Sequence, residues 1–450
     1  MPRKEFADIA AARLSAATLA ENYSDIAPPL DRQTALIAAQ RCHFCFDAPC
    51  IAACPTGIDI PQFIRGIATD NLKGAAEEIL GANILGGMCA RVCPTEILCE
   101  GDCVRNHPNE KAPVAIGALQ RYATDWVFET NTPLFERVAD TGKNVAVVGA
   151  GPAGLACAHA LARAGHRVTI FDARAKAGGL NEYGIARYKV LDFAAREIQW
   201  LLSIGGIMIE SGKTLGDNLA LADLRRDFDA VFLGIGLAGV NALGVEGEQL
   251  AGVRNAVDFI AELRQAKLQD LPIGRRVVVI GGGNTAIDAA VQSRKLGAEW
   301  VTLVYRRGAT EMSATSVEQE FAKSEGVNVV NWAAPKRIVA RDGAVAAIEF
   351  EYTQLDDKGR LLGSGDLLRI DADVVLKAIG QVLVPSVGGN SDVLQVAGGR
   401  IVVNADYATS LEKVYAGGDC VGGKVDLTVQ AVEDGKRAAK SIDSALRRAK

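Results

Sequence analysis

The chain has 450 residues, 49% of them hydrophobic and 23% charged, which suits two to four globular domains. Lys plus Arg number 49 against 54 Asp plus Glu, and the net charge of −5 excludes a basic field for nucleic acid or anionic lipid. No run of about 18 apolar residues offers a membrane span.

In chain order, the opening stretch MPRKEFADIAAARLSAATLA has no continuous apolar core and carries Glu5 and Asp8, so it does not read as a signal peptide. A cytoplasmic protein is expected, where thiols stay reduced and disulfides are disfavoured. Eight of the ten cysteines follow within one segment. The first group, RCHFCFDAPCIAACP, holds Cys42, Cys45, Cys50 and Cys54. The second holds Cys89, Cys93, Cys99 and Cys103. Zinc ribbons pair two C-x2-C knuckles, and the second group has none. Ferredoxin-type runs place close cysteines on one cluster, while the cysteine before a proline serves another. Cys54-Pro55 and Cys93-Pro94 have that form. Two [4Fe–4S] clusters are the reading, with zinc or plain reduced thiols as its alternatives.

Next comes NVAVVGAGPAGLACAHALARAGHRVTIFDA, an apolar strand from Asn144 to Val148, a glycine turn, a helix to about Ala164 and a strand ending at Asp172. Gly149 permits the tight turn, Gly151 lets backbone approach a pyrophosphate and Gly154 lets helix and strand pack closely. The phosphates would sit at the helix N-terminus, with Asp172 on a ribose. The unit recurs as RRVVVIGGGNTAIDAAVQSRKLGAEWVTLVYRR, with Gly281, Gly283 and Ala286 at the three turn positions. Its second strand ends in Tyr305-Arg306-Arg307, where arginine suits a 2′-phosphate and an acid would suit a 2′-hydroxyl. DAVFLGIG (229–236) and ADVVLKAIG (372–380) read as strands ending in glycine. VYAGGDC (414–420) ends a short strand in Gly418-Asp419, and VEDGKRAAKSIDSALRRAK reads as a final helix. Cys157 and Cys420 stand alone, so no cysteine pair exists in this part for disulfide reduction.

With these motifs in place, nearly the whole chain resembles the flavin/iron–sulfur, electron-input subunits of bacterial NAD(P)-dependent dihydropyrimidine dehydrogenases, and is similar to glutamate synthase small subunits. The resemblance implies an α/β fold: an N-terminal α-helical iron–sulfur domain, then two Rossmann-like nucleotide-binding domains, the FAD domain interrupted by the NAD(P) domain. The expected domains are 1–140 for two [4Fe–4S] clusters, 141–270 and 385–450 for FAD, and 271–384 for NAD(P). One cluster would take Cys42, Cys45, Cys50 and Cys103. The other would take Cys54, Cys93, Cys99 and the unusual ligand Gln120 in IGALQRYATD, leaving Cys89 unligated. Residue chemistry alone prefers Cys89, because thiolate is the softer iron ligand.

The same resemblance maps FAD contacts onto Gly149, Gly151, Pro152, Ala153, Gly154 and Asp172. It adds Gly179, Leu180 and Lys189, then Gly418, Asp419 and Thr428. Nicotinamide dinucleotide contacts map onto Gly281, Gly283, Asn284, Thr285 and Ala286, with Arg306, Arg307, Ala378 and Gly380. Two departures stand out. Ala186 in GIARYKV occupies a place where the family usually has proline, and Ser313 stands where NADPH-dependent relatives carry a further arginine. The nucleotide choice stays open, leaning to NADH. No side chain is expected to be catalytic, since the cofactors carry hydride transfer. The implied partner is a catalytic subunit with FMN and further [4Fe–4S] clusters, in a hetero-oligomer such as a heterotetramer. Glutamate synthase small subunit and stand-alone NAD(P)H diaphorase are the other readings.

Overall fold

The computed structural model describes residues 8–384, 394–423 and 425–448. They fall into two compact units. The larger takes Ala27–Glu182, Asp192–Ala238 and the described residues from Leu383 onward. The smaller takes the described residues through Ile26, Tyr183–Leu191 and Gly239–Val382.

The larger unit begins with helices whose starts are written in the sequence. Asp31, Asp59 and Asn71 each cap a helix, accepting from Thr34 N, Gln62 N and Gly74 N at 2.7, 3.0 and 3.0 Å. Helix Ile60–Ala68 buries Ile60, Phe63, Ile64 and Ile67, an i, i+3, i+4, i+7 stripe. Helices Leu72–Ala82, Gly86–Val92 and Ile116–Thr130 complete this layer. A five-stranded parallel sheet follows, in the order Val414–Ala416, Ala230–Leu233, Asn144–Val148, Arg167–Asp172, Ile207–Ser211. Its inner strands Asn144–Val148 and Ala230–Leu233 are apolar on both faces, as strands covered on both sides require, while the edge strand Ile207–Ser211 is partly exposed. Helix Pro152–Arg163 packs on it, and the terminal helix Thr428–Arg448 crosses that helix closely: a Cβ on Gly435 would lie 2.1 Å from the Ala153 carbonyl oxygen.

The smaller unit repeats the plan. Its parallel sheet runs Asn328–Asn331, Trp300–Tyr305, Arg276–Ile280, Val374–Lys377, Val253–Asn255. In both sheets the strand entering the glycine turn is central. An antiparallel meander, Ala333–Arg341, Ala344–Leu355 and Leu361–Asp371, is inserted before the strand Val374–Lys377. Asp342 and Gly343, at φ 53° and 80°, make its first turn, the left-handed pair a two-residue hairpin needs.

The domain limits expected from sequence differ from these units in three places, one of them Tyr183–Leu191, which clusters with the smaller unit and not with 141–270. The smaller unit starts at Gly239, not near 271, because Val253–Asn255 pairs in parallel with Val374–Lys377 and so joins that sheet. Residues 8–26 do not belong with the helical layer. Ile9–Ala10 pairs with Ile273–Gly274, and Tyr23 Oη donates to the Gln292 carbonyl at 2.8 Å, tying this segment to the smaller unit. Among the described residues no helix is long and apolar enough to cross a membrane.

Candidate functional site

Three kinds of site are built from these elements. The first is a nest of thiols. Cys42, Cys45 and Cys50 line one cavity with Cys103, and Ala48, Ile60, Ile64, Val114 and Ile116 wall it further. Phe44 N donates to Cys42 Sγ at 3.4 Å. Burial pushes the Cys42 thiol up and the Cys50 thiol up to about 11, and the charge of Cys103 adds to both. Four thiols around one cavity are soft donors of the kind iron takes. The donor set therefore fits a cluster.

A second nest lies around helix Gly86–Val92. Cys93 ends this helix and Cys54 ends helix Pro49–Ala53. A hydrogen bond with Cys89 pushes the Cys93 thiol well up, burial adds to it, and the charges of Cys89, Cys99 and Cys54 raise it further. Gln120, 7% exposed, donates Nε2 to the Gly86 carbonyl at 2.7 Å. The structure thus brings both Gln120 and the buried Cys89 to the helix that ends at Cys93.

The glycine turn of the larger unit combines packing glycines with one free of packing. A Cβ on Gly154 would lie 1.8 Å from the Gly149 carbonyl oxygen, and one on Gly149, at φ 100°, 2.3 Å from that of Gly234. Gly151 differs: its Cβ would meet nothing nearer than the Gly179 Cα at 3.8 Å. Protein packing does not demand glycine there, whereas a pyrophosphate approaching the backbone does. Gly151 also caps helix Pro152–Arg163 with no side-chain bond, leaving the first-turn amides facing outward for an anion. Asp172 braces this turn, accepting from Ala150 N at 2.6 Å and Arg174 N at 2.7 Å. A carboxylate has about four acceptor positions, so it retains capacity for a ribose. Leu180 is 39% exposed beside Gly179, an apolar surface suited to a ring system.

Gly418, at φ 76°, turns the chain toward Asp419. Burial and the charge of Asp426 push Asp419 up to about 6. Asp434, which the sequence did not single out, braces this turn. Its Oδ2 accepts from Gly418 N at 3.0 Å, while Oδ1 accepts from Tyr407 Oη and Gln430 Nε2, each at 2.9 Å. The signal was an acid in VEDGKRA on the buried face of the terminal helix. Thr428 Oγ1 lies 2.9 Å from Asn181 Oδ1 at the start of that helix. Lys189, expected among the flavin contacts, lies in the smaller unit, ion-paired with Asp288 at 2.8 Å and Glu318 at 2.7 Å.

The smaller unit's turn has the same logic. Gly281, at φ 151°, would set a Cβ 2.2 Å from the Ala378 carbonyl oxygen, whereas Gly283 would meet only Ser313 Oγ, at 3.2 Å. Thr285 and the buried Ala286 continue the helix Asn284–Lys295. Asn284 Oδ1 is buried without a hydrogen-bond partner, as expected of a group that awaits a ligand. Arg306 is exposed and Arg307 half-buried at the end of strand Trp300–Tyr305, and Gly380 turns the chain at φ 95° after Ala378. These residues fit a dinucleotide.

Comparison with known proteins agrees with this geometry. The family profile of pyridine nucleotide-disulphide oxidoreductases matches residues 143–435. The chain belongs to that family. A second profile, dihydropyrimidine dehydrogenase domain II, 4Fe-4S cluster, matches residues 19–132. This pyridine nucleotide-disulphide oxidoreductase is 34% identical to the NAD-dependent dihydropyrimidine dehydrogenase subunit PreT of Escherichia coli K12, over 94% of this chain and 97% of that one. It is 35% identical to the glutamate synthase [NADPH] small chain of the same organism, over 93% of both. Its fold is that of Mycobacterium tuberculosis FprA solved with NADPH (TM-score 0.57, 19% identity, 68% of this chain and 85% of that one). The thioredoxin reductase of T. acidophilum gives TM-score 0.53 at 24% identity, covering 68% of this chain and 99% of that one. The chain is an NAD(P)H-dependent flavin and iron–sulfur oxidoreductase. Despite the family's name, its cysteines beyond 103 are only Cys157 and Cys420, both buried and free.

Proposed function

We propose that this chain is the cytoplasmic electron-input subunit of a dihydropyrimidine dehydrogenase. In this reading electrons from NAD(P)H, with a lean to NADH, pass by way of FAD and two [4Fe–4S] clusters to a separate catalytic subunit. That subunit carries FMN and further [4Fe–4S] clusters, forms a heterotetramer with this one, and reversibly reduces uracil or thymine to the 5,6-dihydropyrimidine. FAD supplies the hydride acceptor and the clusters supply one-electron carriers.

The chain's own residues hold and orient. Gly149 makes the turn, Pro152 opens the helix, Gly151 and Ala153 present backbone N–H groups to the FAD pyrophosphate, Asp172 holds a ribose, and Asp434 sets the Gly418–Asp419 turn against the rest. Gly283, Asn284 and Thr285 receive the second dinucleotide, with Arg306 and Arg307 at its ribose end. Cys42, Cys45, Cys50 and Cys103 hold one cluster; Cys54, Cys93, Cys99 and Gln120 hold the other. The observation that carries the reading is the buried Gln120 against the helix of Cys93, whose thiol feels Cys89, Cys99 and Cys54. An amide so placed has a reason if it faces iron.

The match to a glutamate synthase small chain favours a second reading, in which the partner aminates 2-oxoglutarate. Anaerobic reconstitution with candidate partner subunits, assayed with NADH and NADPH, separates them. Uracil-dependent oxidation of the nucleotide should require both subunits. Uracil reduction by this chain alone overturns the proposal, and stimulation of glutamine-dependent 2-oxoglutarate amination transfers it to glutamate synthase.

A further inference from the structure

Glu197 is an acid for which the site described so far has no use. It lies on helix Phe193–Leu202, is 1% exposed and has no ion-pair partner among the described residues. Burying a carboxyl without a counter-ion is costly, so its surroundings need a reason. Its Oε1 accepts from Gly87 N at 2.9 Å and Met88 N at 3.0 Å, in the first turn of helix Gly86–Val92. That helix has no side-chain cap of its own. The contact is tight: a Cβ on Gly87 would lie 2.9 Å from Glu197 Oε1 and 2.6 Å from the rings of Phe128 and Phe193.

The same peptide group that donates to Glu197 accepts from Gln120. Gly87 N–H and the Gly86 carbonyl belong to one amide plane, and Gln120 Nε2 donates to that carbonyl at 2.7 Å. The result is a chain of two hydrogen bonds: Glu197 carboxyl, Gly86–Gly87 peptide, Gln120 amide. Hydrogen bonds in series through a polarisable amide strengthen one another. Negative charge on Glu197 pulls on Gly87 N–H, makes the Gly86 carbonyl a better acceptor, and so leaves Gln120 Oε1 richer in electrons.

We propose that Glu197 is a positioning residue for the Gln120 side of the second cluster, acting through the Gly86–Gly87 peptide and adjusting how readily that centre accepts an electron. This rests on the reading of Gln120 as a cluster ligand. The charged groups around Glu197 leave it free to act. Arg91, on the helix it caps, is bound to Asp125 at 2.6 Å, and Arg121 bonds the other oxygen of Asp125 at 3.2 Å. Arg196, on its own helix, sits over the Phe193 ring, and burial keeps His159 on helix Pro152–Arg163 neutral. Burial pushes Glu197 up to about 8, against the pull of its two backbone donors and Arg91. Below that pH it is the neutral acid. Above it, one electron arriving from NAD(P)H through the flavin is balanced by one proton from solvent on the Glu197 carboxylate.

The test is a redox titration of the anaerobically purified full-length holoprotein, followed by EPR between pH 6.5 and 9.5. The second cluster's midpoint should be flat below about pH 8 and fall above it by up to about 59 mV per pH unit, the tenfold proton change for one electron. Glu197→Gln keeps the amide-accepting oxygen and removes the charge, so the fall should vanish while the far-UV spectrum and thermal midpoint hold. Glu197→Leu breaks the chain and should alter the cluster's EPR line shape. If Glu197→Gln titrates as the wild type does, the proposal is overturned. Gln120→Ala tests the underlying reading separately: unchanged second-cluster EPR removes Gln120 as a ligand, whereas changed EPR with a normal Glu197→Gln titration rejects Glu197 alone.

Discussion

In the proposed flavin site Asp419 would serve the ligand at the expense of the fold. Its carboxyl rises to about 6, first through burial and then through Asp426, with Arg400 opposing. The folded protein therefore holds this proton between about pH 4 and 6 where the unfolded chain has lost it, and stability falls as pH rises through that window. At neutral pH the charged group costs at most about 3 kcal/mol, two units at 1.36 kcal/mol each. Ribityl or ribose hydroxyls would restore what burial removes. Asp419→Asn should therefore raise the thermal midpoint of FAD-free protein at pH 7, flatten its pH dependence between 4 and 6, and weaken FAD binding tenfold or more. Calorimetry of the apoprotein and flavin fluorescence titration read the two effects separately. Asp419 was legible in the sequence as the acid ending VYAGGD; Asp434, which sets its turn, was not. An acid on a helix reads as solvated until a packed neighbour shows which amide it accepts from.

At the scale of elements, the two glycine turns divide their glycines between packing and approach. Gly154→Ala would place a Cβ 1.8 Å from the Gly149 carbonyl oxygen, with backbone on both sides and nothing able to give. Urea unfolding should show a loss of about 3 kcal/mol or more, the upper range for overpacking. Gly151→Ala meets nothing within 3.4 Å, so stability should stay within about 0.5 kcal/mol while FAD binding falls sharply. Equal loss of stability in both variants would refute this division. Both strand–turn–helix units were readable from apolar runs meeting spaced glycines. The meander Ala333–Asp371 and the membership of Val253–Asn255 were not, since a three-residue strand has no period and is defined only by its partner.

Across the whole molecule, each thiol nest gathers residues from distant parts of the chain: Cys103 joins the cavity of Cys42, and Cys54 joins Cys93 and Cys99. Separate nests predict separable losses. Cys45→Ser should remove about half of the bound iron and stop electron delivery to a partner, while NAD(P)H still bleaches the flavin. Iron analysis and anaerobic spectra at the flavin band check this. Loss of all iron would mean that the nests form one site. The chain enters the smaller unit three times, through the described residues up to Ile26, through Tyr183–Leu191 and from Gly239. Nothing in the N-terminal composition announces the first entry; pairing with Ile273–Gly274 decides it.

By itself the sequence determined the chemistry: eight clustered cysteines, two glycine turns at the ends of apolar strands, and the acids and arginines that follow them. These are local patterns, because each rests on spacing along a few turns of backbone. Only the tertiary structure decided the limits of the units, the bracing of Gly418 by Asp434 and the link from Glu197 to Gln120. Those depend on which distant groups a buried donor or acceptor can reach, and a buried polar group must take the partner that packing puts beside it.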